Sequence, residues 1–100
     1  MSYEVTTVWY VPNGNFNNTD EIWASRTSAW SPAQKAAAEA INDQYVQSAS
    51  MTWDDVAKTV TTVALFANRA DCNAQNAGWH NLFLQTSSDW QLVSSNSVES

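Results

Sequence analysis

Reactive side chains are scarce in this sequence. It holds one cysteine, Cys72, and one histidine, His80. A single thiol excludes an internal disulfide, and a single imidazole excludes the multi-histidine sets from which catalytic zinc centres are built. Only two glycines are present, Gly14 and Gly78, so no glycine-rich strand-to-helix loop for cradling phosphate can be assembled. Four basic residues (Arg26, Lys35, Lys58, Arg69) stand against ten acidic ones, giving a formal net charge of -6. Such a chain repels a phosphate backbone instead of releasing counterions from it, which disfavours direct nucleic-acid binding. The acids run from Glu4 to Glu99 without the clustering that mimicry of nucleic acid requires. No apolar run approaches the ~20 residues needed to cross a bilayer. Nor does a basic segment followed by an apolar stretch stand at the start, so the expectation is a cytoplasmic protein without a membrane span.

Bulky apolar side chains, by contrast, are plentiful. Hydrophobic residues make up 44% of the 100 positions, and six of the twelve aromatics are Trp. That is enough to offset conformational entropy, and a chain of this size buries roughly 60 to 70% of its unfolded surface. One globular domain over residues 1–93 follows, with a frayed tail at 94–100. Trp9, Trp23, Trp30, Trp53, Trp79 and Trp90 overfill the centre of so small a core, and each indole N–H seeks a partner, so some indoles are expected at the surface. Interface hot spots favour Trp and Arg. "DEIWASRTSAW" gathers Trp23, Arg26 and Trp30 in one segment, and these are the expected contact residues.

"YEVTTVWYV", residues 3 to 11, is β-branched and aromatic and stops at "PNGN", which predicts a strand and a turn. Tyr3, Val5, Thr7, Trp9 and Val11 share its core side. "NGNFNNTD" reads as a polar loop. In "WSPAQKAAAEAINDQYVQSAS", Ser31 can cap, Pro32 fits the first helical position and Gln34 completes a capping box, predicting a helix over 32–48. Its stripe is Ala33, Ala37, Ala40, Ile41, Gln44 and Tyr45, with Gln34, Lys35, Asn42 and Gln47 outward. For residues 52 to 67, helical and strand patterns compete; Thr52 and Asp55 resemble a second capping box, and the reading is a helical turn near 53–58 and a strand near 61–67. "GWHNLFLQT" and "DWQLVSS" read as two strands joined around Ser87, Ser88 and Asp89. The expected fold is therefore α+β, one Ala-rich helix on a small, largely antiparallel sheet. An all-α bundle is the alternative, should 53–67 and 76–87 both be helical.

Two stretches carry a family resemblance. "AWSPAQKAAAEAI" resembles the first helix of serralysin-type metzincin zinc peptidases, and "ALFANRADCNAQNAGWHNLF" resembles their strand, irregular loop and Ala-Gly-aromatic segment. The resemblance could cover residues 3 to 93 and implies a related strand-helix-sheet arrangement. That family binds zinc through His-Glu-x-x-His-x-x-Gly-x-x-His, whereas His80 here is followed by Asn81 and Leu82. No functional residue carries over, and the peptidase chemistry is not implied.

A Cys-His dyad would need Cys72 and His80 within hydrogen-bond reach, oriented by Asp71 or Asp89. The segment between them is polar, and no helix N-terminus is aimed at the thiol to activate it. A metal site from Asp71, Cys72 and His80 lacks a fourth ligand. The pairs Asp20-Glu21 and Asp54-Asp55 suit the positive ends of helices better than acid-base catalysis or calcium binding. The Asn17-Asn18-Thr19 sequon matters only in an exported chain. The expectation is thus a non-catalytic module with no cofactor and with a protein partner. It would be a small inhibitor or adaptor, of the kind that phage and mobile elements deploy against host machinery. Alternatives are a carbohydrate or small-ligand binding domain, since Trp faces beside Asn, Thr and Asp can stack on a ring and bond its hydroxyls, or an inactive remnant of a metallopeptidase-like fold.

Overall fold

The computed structural model describes residues 2–82 and 89–100. Strand β1 (Tyr3–Tyr10) leads through helices α1 (Thr19–Arg26) and α2 (Pro32–Tyr45) into strand β2 (Val46–Asp54); strand β3 (Thr59–Phe66), helix α3 (Arg69–Asn81) and strand β4 (Gln91–Glu99) follow. The sheet order is β2-β3-β1-β4, with every neighbouring pair antiparallel. Two β-α-β units therefore interleave: β3 lies between β1 and β2, and β1 lies between β3 and β4, a split β-α-β arrangement. The expected α+β class and antiparallel sheet stand, and the all-α alternative does not. Among the described residues the helices number three instead of one. None of them is long and apolar enough to cross a membrane, among the described residues.

Alternation along β1 sets the sheet's two faces. Val5, Thr7 and Trp9 share a side with Ala64, Thr62 and Val60 of β3, their register partners, and with Ala49, Met51 and Trp53 of β2. This inner face carries the helices, and Val60 is fully buried in it. The outer face bears Glu4, Thr6, Val8, Thr61, Val63 and Leu65, the polar and β-branched mixture of a sheet with one solvated side. The packed core lies at one end of the inner face, where Val11, Ile22, Val60 and Trp90 meet Trp9, Phe16, Met51 and Trp53.

The α2 start is the one expected. Ser31 accepts from Gln34 N at 3.1 Å, and Gln34 Oε1 accepts from Ser31 N at 2.9 Å. Its end and its packing differ. The helix stops at Tyr45 instead of 48, and β2 begins at the next residue. The stripe is rotated: Ala38 is the fully buried residue, Gln34 donates to Leu82 O at 3.4 Å, and Asn42 Oδ1 accepts from Gln75 Nε2 at 3.0 Å. The α2 helix thus packs chiefly on α3 and not on the sheet. Gly78 permits that approach, since a Cβ there would stand 3.0 Å from Ile41 Cδ1.

Three further segments depart from their sequence reading. The polar loop shortens, because α1 starts at Thr19 with Asn18 accepting from Glu21 N at 2.9 Å. That places Asp20 and Glu21 in a first helical turn, as their charge suggested. The helical turn near 53–58 is a hairpin turn: Asp54 Oδ1 accepts from Val56 N (3.0 Å) and Ala57 N (3.1 Å), and Lys58 takes a left-handed φ of 57°. Gly78-Trp79-His80-Asn81 belongs to α3, which runs from its cap Asn68 to its C-cap Leu82, and not to a strand; the remainder of that expected strand after Leu82 and most of the turn after it fall at 83–88, outside the described residues. Residues 94–99, read as a loose tail, are paired with β1 in β4. A bulge opposite Val8 and Trp9 interrupts this pairing, and at the other end of the ladder Ser2 and Ser100 exchange backbone hydrogen bonds of 2.9 and 3.0 Å.

Candidate functional site

The inner sheet face and the helical layer do not close on one another. A half-open cleft of about 690 Å³ separates them, floored by Val5, Thr7 and Trp9 of β1, Met51 of β2 and Ala64 of β3. The facing wall includes Trp23 and Arg26 of α1, Glu39 and Asn42 of α2, and Cys72 and Trp79 of α3. Trp23 and Arg26 are three residues apart, so one helical face presents both.

Rings crowd the helical end of this cleft. Trp23 meets Trp30 at 6.0 Å between centroids, nearly perpendicular, and Trp30 meets Trp79 at 5.2 Å. Arg26 sits among them, its Cζ 5.4 Å from the Trp9 ring centroid, 5.3 Å from Trp30 and 5.6 Å from Trp79. Attraction to the ring faces holds a guanidinium in such a place. No carboxylate does so: the ion pairs among the described residues are Lys58 with Asp55 and Arg69 with Glu99. Arg26 Nη1 and Trp79 Nε1 are buried donors without a hydrogen-bond partner among the described residues. Desolvation pushes the Arg26 guanidinium down to about 10, which leaves it charged at neutral pH. Trp53 Nε1, outside the cleft, is a third such donor, whereas two other indoles have partners. Trp23 Nε1 donates to Glu39 Oε1 at 3.4 Å, tying α1 to α2, and Trp90 Nε1 donates to Ser25 Oγ at 3.0 Å.

Trp23, Arg26 and Trp30, singled out in the sequence as contact residues, do converge. They turn inward, however: Trp30 is 9% exposed, and Trp23 and Arg26 are half-buried. None of the six indoles is among the exposed large hydrophobic residues. Sequence reasoning missed the other members of the group, Trp9 and Trp79. Trp9 was assigned to the core side of its strand, and the fold alone brings Trp79 from a different helix.

Cys72 and His80 share α3 but do not meet. Eight residues of helix set them about 12 Å apart along its axis, with Cys72 buried and His80 exposed. Burial raises the Cys72 thiol above its ordinary pKa, and its sulfur accepts from Asn76 Nδ2 at 3.8 Å. Among the described residues no group of three or more His, Cys, Asp or Glu side chains could hold a metal ion. No family model, curated protein or solved structure matches the chain. Fold and site together define a mixed α+β protein with an aromatic cleft that, among the described residues, carries one cation.

Proposed function

We propose that this chain is a binding protein that takes a small organic ligand into the cleft between sheet and helices. The observation that carries the reading is the cleft itself, about 690 Å³ in a chain of 100 residues. Protein interiors pack densely, and unfilled apolar space forfeits dispersion contacts. Small-molecule sites span roughly 300 to 1,000 Å³, with apolar and aromatic walls and a few polar groups to orient the ligand. Trp9, Trp23 and Trp79 beside Arg26 and Asn42 fit that description.

The inhibitor or adaptor reading drew its support from an outward Trp23, Arg26 and Trp30 patch. With Trp30 buried and Arg26 against three rings, those side chains have little to offer a macromolecular surface. Catalysis forms no part of the proposal, because the thiol in the cleft is held protonated and the imidazole lies elsewhere on the helix. Ligand entry should quench Trp fluorescence and raise the melting temperature with concentration. Ala64→Phe places a ring on the cleft floor. It is expected to abolish the response at least tenfold in affinity while the circular dichroism stays native. A filled cleft that binds a screened ligand as tightly as before would reject the reading.

A further inference from the structure

The donors that line the cleft define what it takes. Arg26 and Trp79 both line the cleft, and Arg26 Nη1 and Trp79 Nε1, covered by their neighbours, have no hydrogen-bond partner among the described residues. They stand on neighbouring side chains, the guanidinium carbon lying 5.6 Å from the Trp79 ring centroid. A buried donor without an acceptor is costly, and a buried charge without a counter-charge more so. Ring faces offset part of the charge cost but supply no lone pair to an N–H. The missing complement is therefore an acceptor that carries negative charge.

Geometry and charge narrow the class further. Among the described residues Arg26 is the one cation that lines the cleft, while Glu39 and Asp43 line it on α2. Those two carboxylates and the net charge of -6 repel polyanions such as nucleotides or phosphorylated sugars. A single negative charge matches a single guanidinium, and a carboxylate can accept from its fork while a second lone pair faces an indole N–H. Beyond the charged end, Val5, Met51, Ala64 and Phe66 offer apolar wall. We infer that the cleft binds a monocarboxylic acid with an apolar body, its carboxylate drawn to the Arg26 guanidinium beside Trp79, whose covered Nη1 and Nε1 it reaches as these side chains turn toward it, and its body along the inner face of the sheet.

This inference rests on the small-ligand reading, and one experiment separates the two. Straight-chain acids from hexanoate to dodecanoate, and 4-phenylbutyrate, are titrated by calorimetry at pH 7.5, each beside its uncharged amide and beside inorganic phosphate. The best acid is expected to bind at least tenfold more tightly than its amide, with phosphate silent. Arg26→Met should erase the difference between acid and amide, and Trp79→Phe, which keeps a ring but removes the N–H, should reduce it severalfold. Raised salt weakens the acid alone. The preference should vanish as the pH falls through the acid's own pKa, about 4 to 5. If acid and amide bind the unaltered protein equally, anion recognition is wrong and the cleft reading survives. A preference that persists in Arg26→Met moves the anchor elsewhere and overturns the inference. If no acid and no amide binds, the inference is overturned, while the small-ligand reading stands or falls on the Ala64→Phe comparison. The acid-amide comparison needs no variant, so it decides even where a substitution disturbs folding.

Discussion

At Arg26 a cost and a gain of similar size oppose each other. Its depression to about 10 corresponds to roughly 3 kcal/mol of desolvation at about 1.4 kcal/mol per pKa unit. Three ring contacts at about 0.5 to 2 kcal/mol each offset most of that. Arg26→Met, which keeps the packing of the stem, is therefore expected to change unfolding free energy by no more than about 1 kcal/mol in urea titration. A loss of several kcal/mol would mean that the cation is a structural keystone. The pH dependence follows from the direction of the shift. Because the folded-state value lies below the unfolded one, the unfolded chain holds the extra proton from about 10 up to the ordinary arginine range. This group's contribution to stability then rises with pH across that window. Cys72 acts oppositely: its thiol is raised, the unfolded chain ionises first, and its contribution falls as pH climbs through the ordinary thiol range. A protonated, buried thiol is a poor nucleophile, so native Cys72 should react with a disulfide reagent at pH 8 at least tenfold more slowly than in urea. Equal rates in the two states would contradict its burial.

At the scale of elements, the loop after β1 shows what a glycine can be for. Gly14 has no left-handed backbone to accommodate; a Cβ there would lie 2.7 Å from Trp53 Cη2 and 2.9 Å from Phe16 Cε2. Gly14→Ala therefore forces two rings of the packed core to shift and is expected to cost about 1 to 3 kcal/mol by thermal melting. An unchanged melting temperature would mean that the loop gives way freely. The same distinction, between what a segment dictates locally and what its neighbours impose, separates the elements that were legible in the sequence from those that were not. The face of β1 and the start of α2 carried complete local signals, the alternation Val5, Thr7, Trp9 and the Ser31, Pro32, Gln34 cap. In α1 and α3 the capping residues Asn18 and Asn68 were present, but each helix buries one side chain, Ile22 and Cys72, and shows no apolar stripe. Gly78 weakened the helical pattern further, for a reason that resides in Ile41 of another helix. Serine-rich β4 has little strand propensity of its own, and its pairing with β1 decides its state. The site divides likewise: Trp23, Arg26 and Trp30 could be grouped by proximity in the chain, whereas the inward turn of that group needs Trp9 and Trp79 from afar.

For the whole molecule, the radius of gyration of 13.3 Å is that of an ordinary 100-residue domain, about 13 Å, so the cleft does not come from a swollen chain. It comes from an uneven distribution of bulk. The large rings and Val60 fill one end of the inner face, and small residues, Ala38 and Gly78 among them, bring α2 and α3 together over the other. A ligand at a hundred times its dissociation constant would add about 2.7 kcal/mol to such a fold. The pairing of Ser2 with Ser100 has a separate consequence. Ser2 and Ser100 stand as adjacent antiparallel neighbours, so a few-residue linker between these two positions would join their strands without bending either. With positions 2 and 100 joined, the hairpin turn at residues 55–58, which lines no part of the cleft, becomes a place to open the backbone anew.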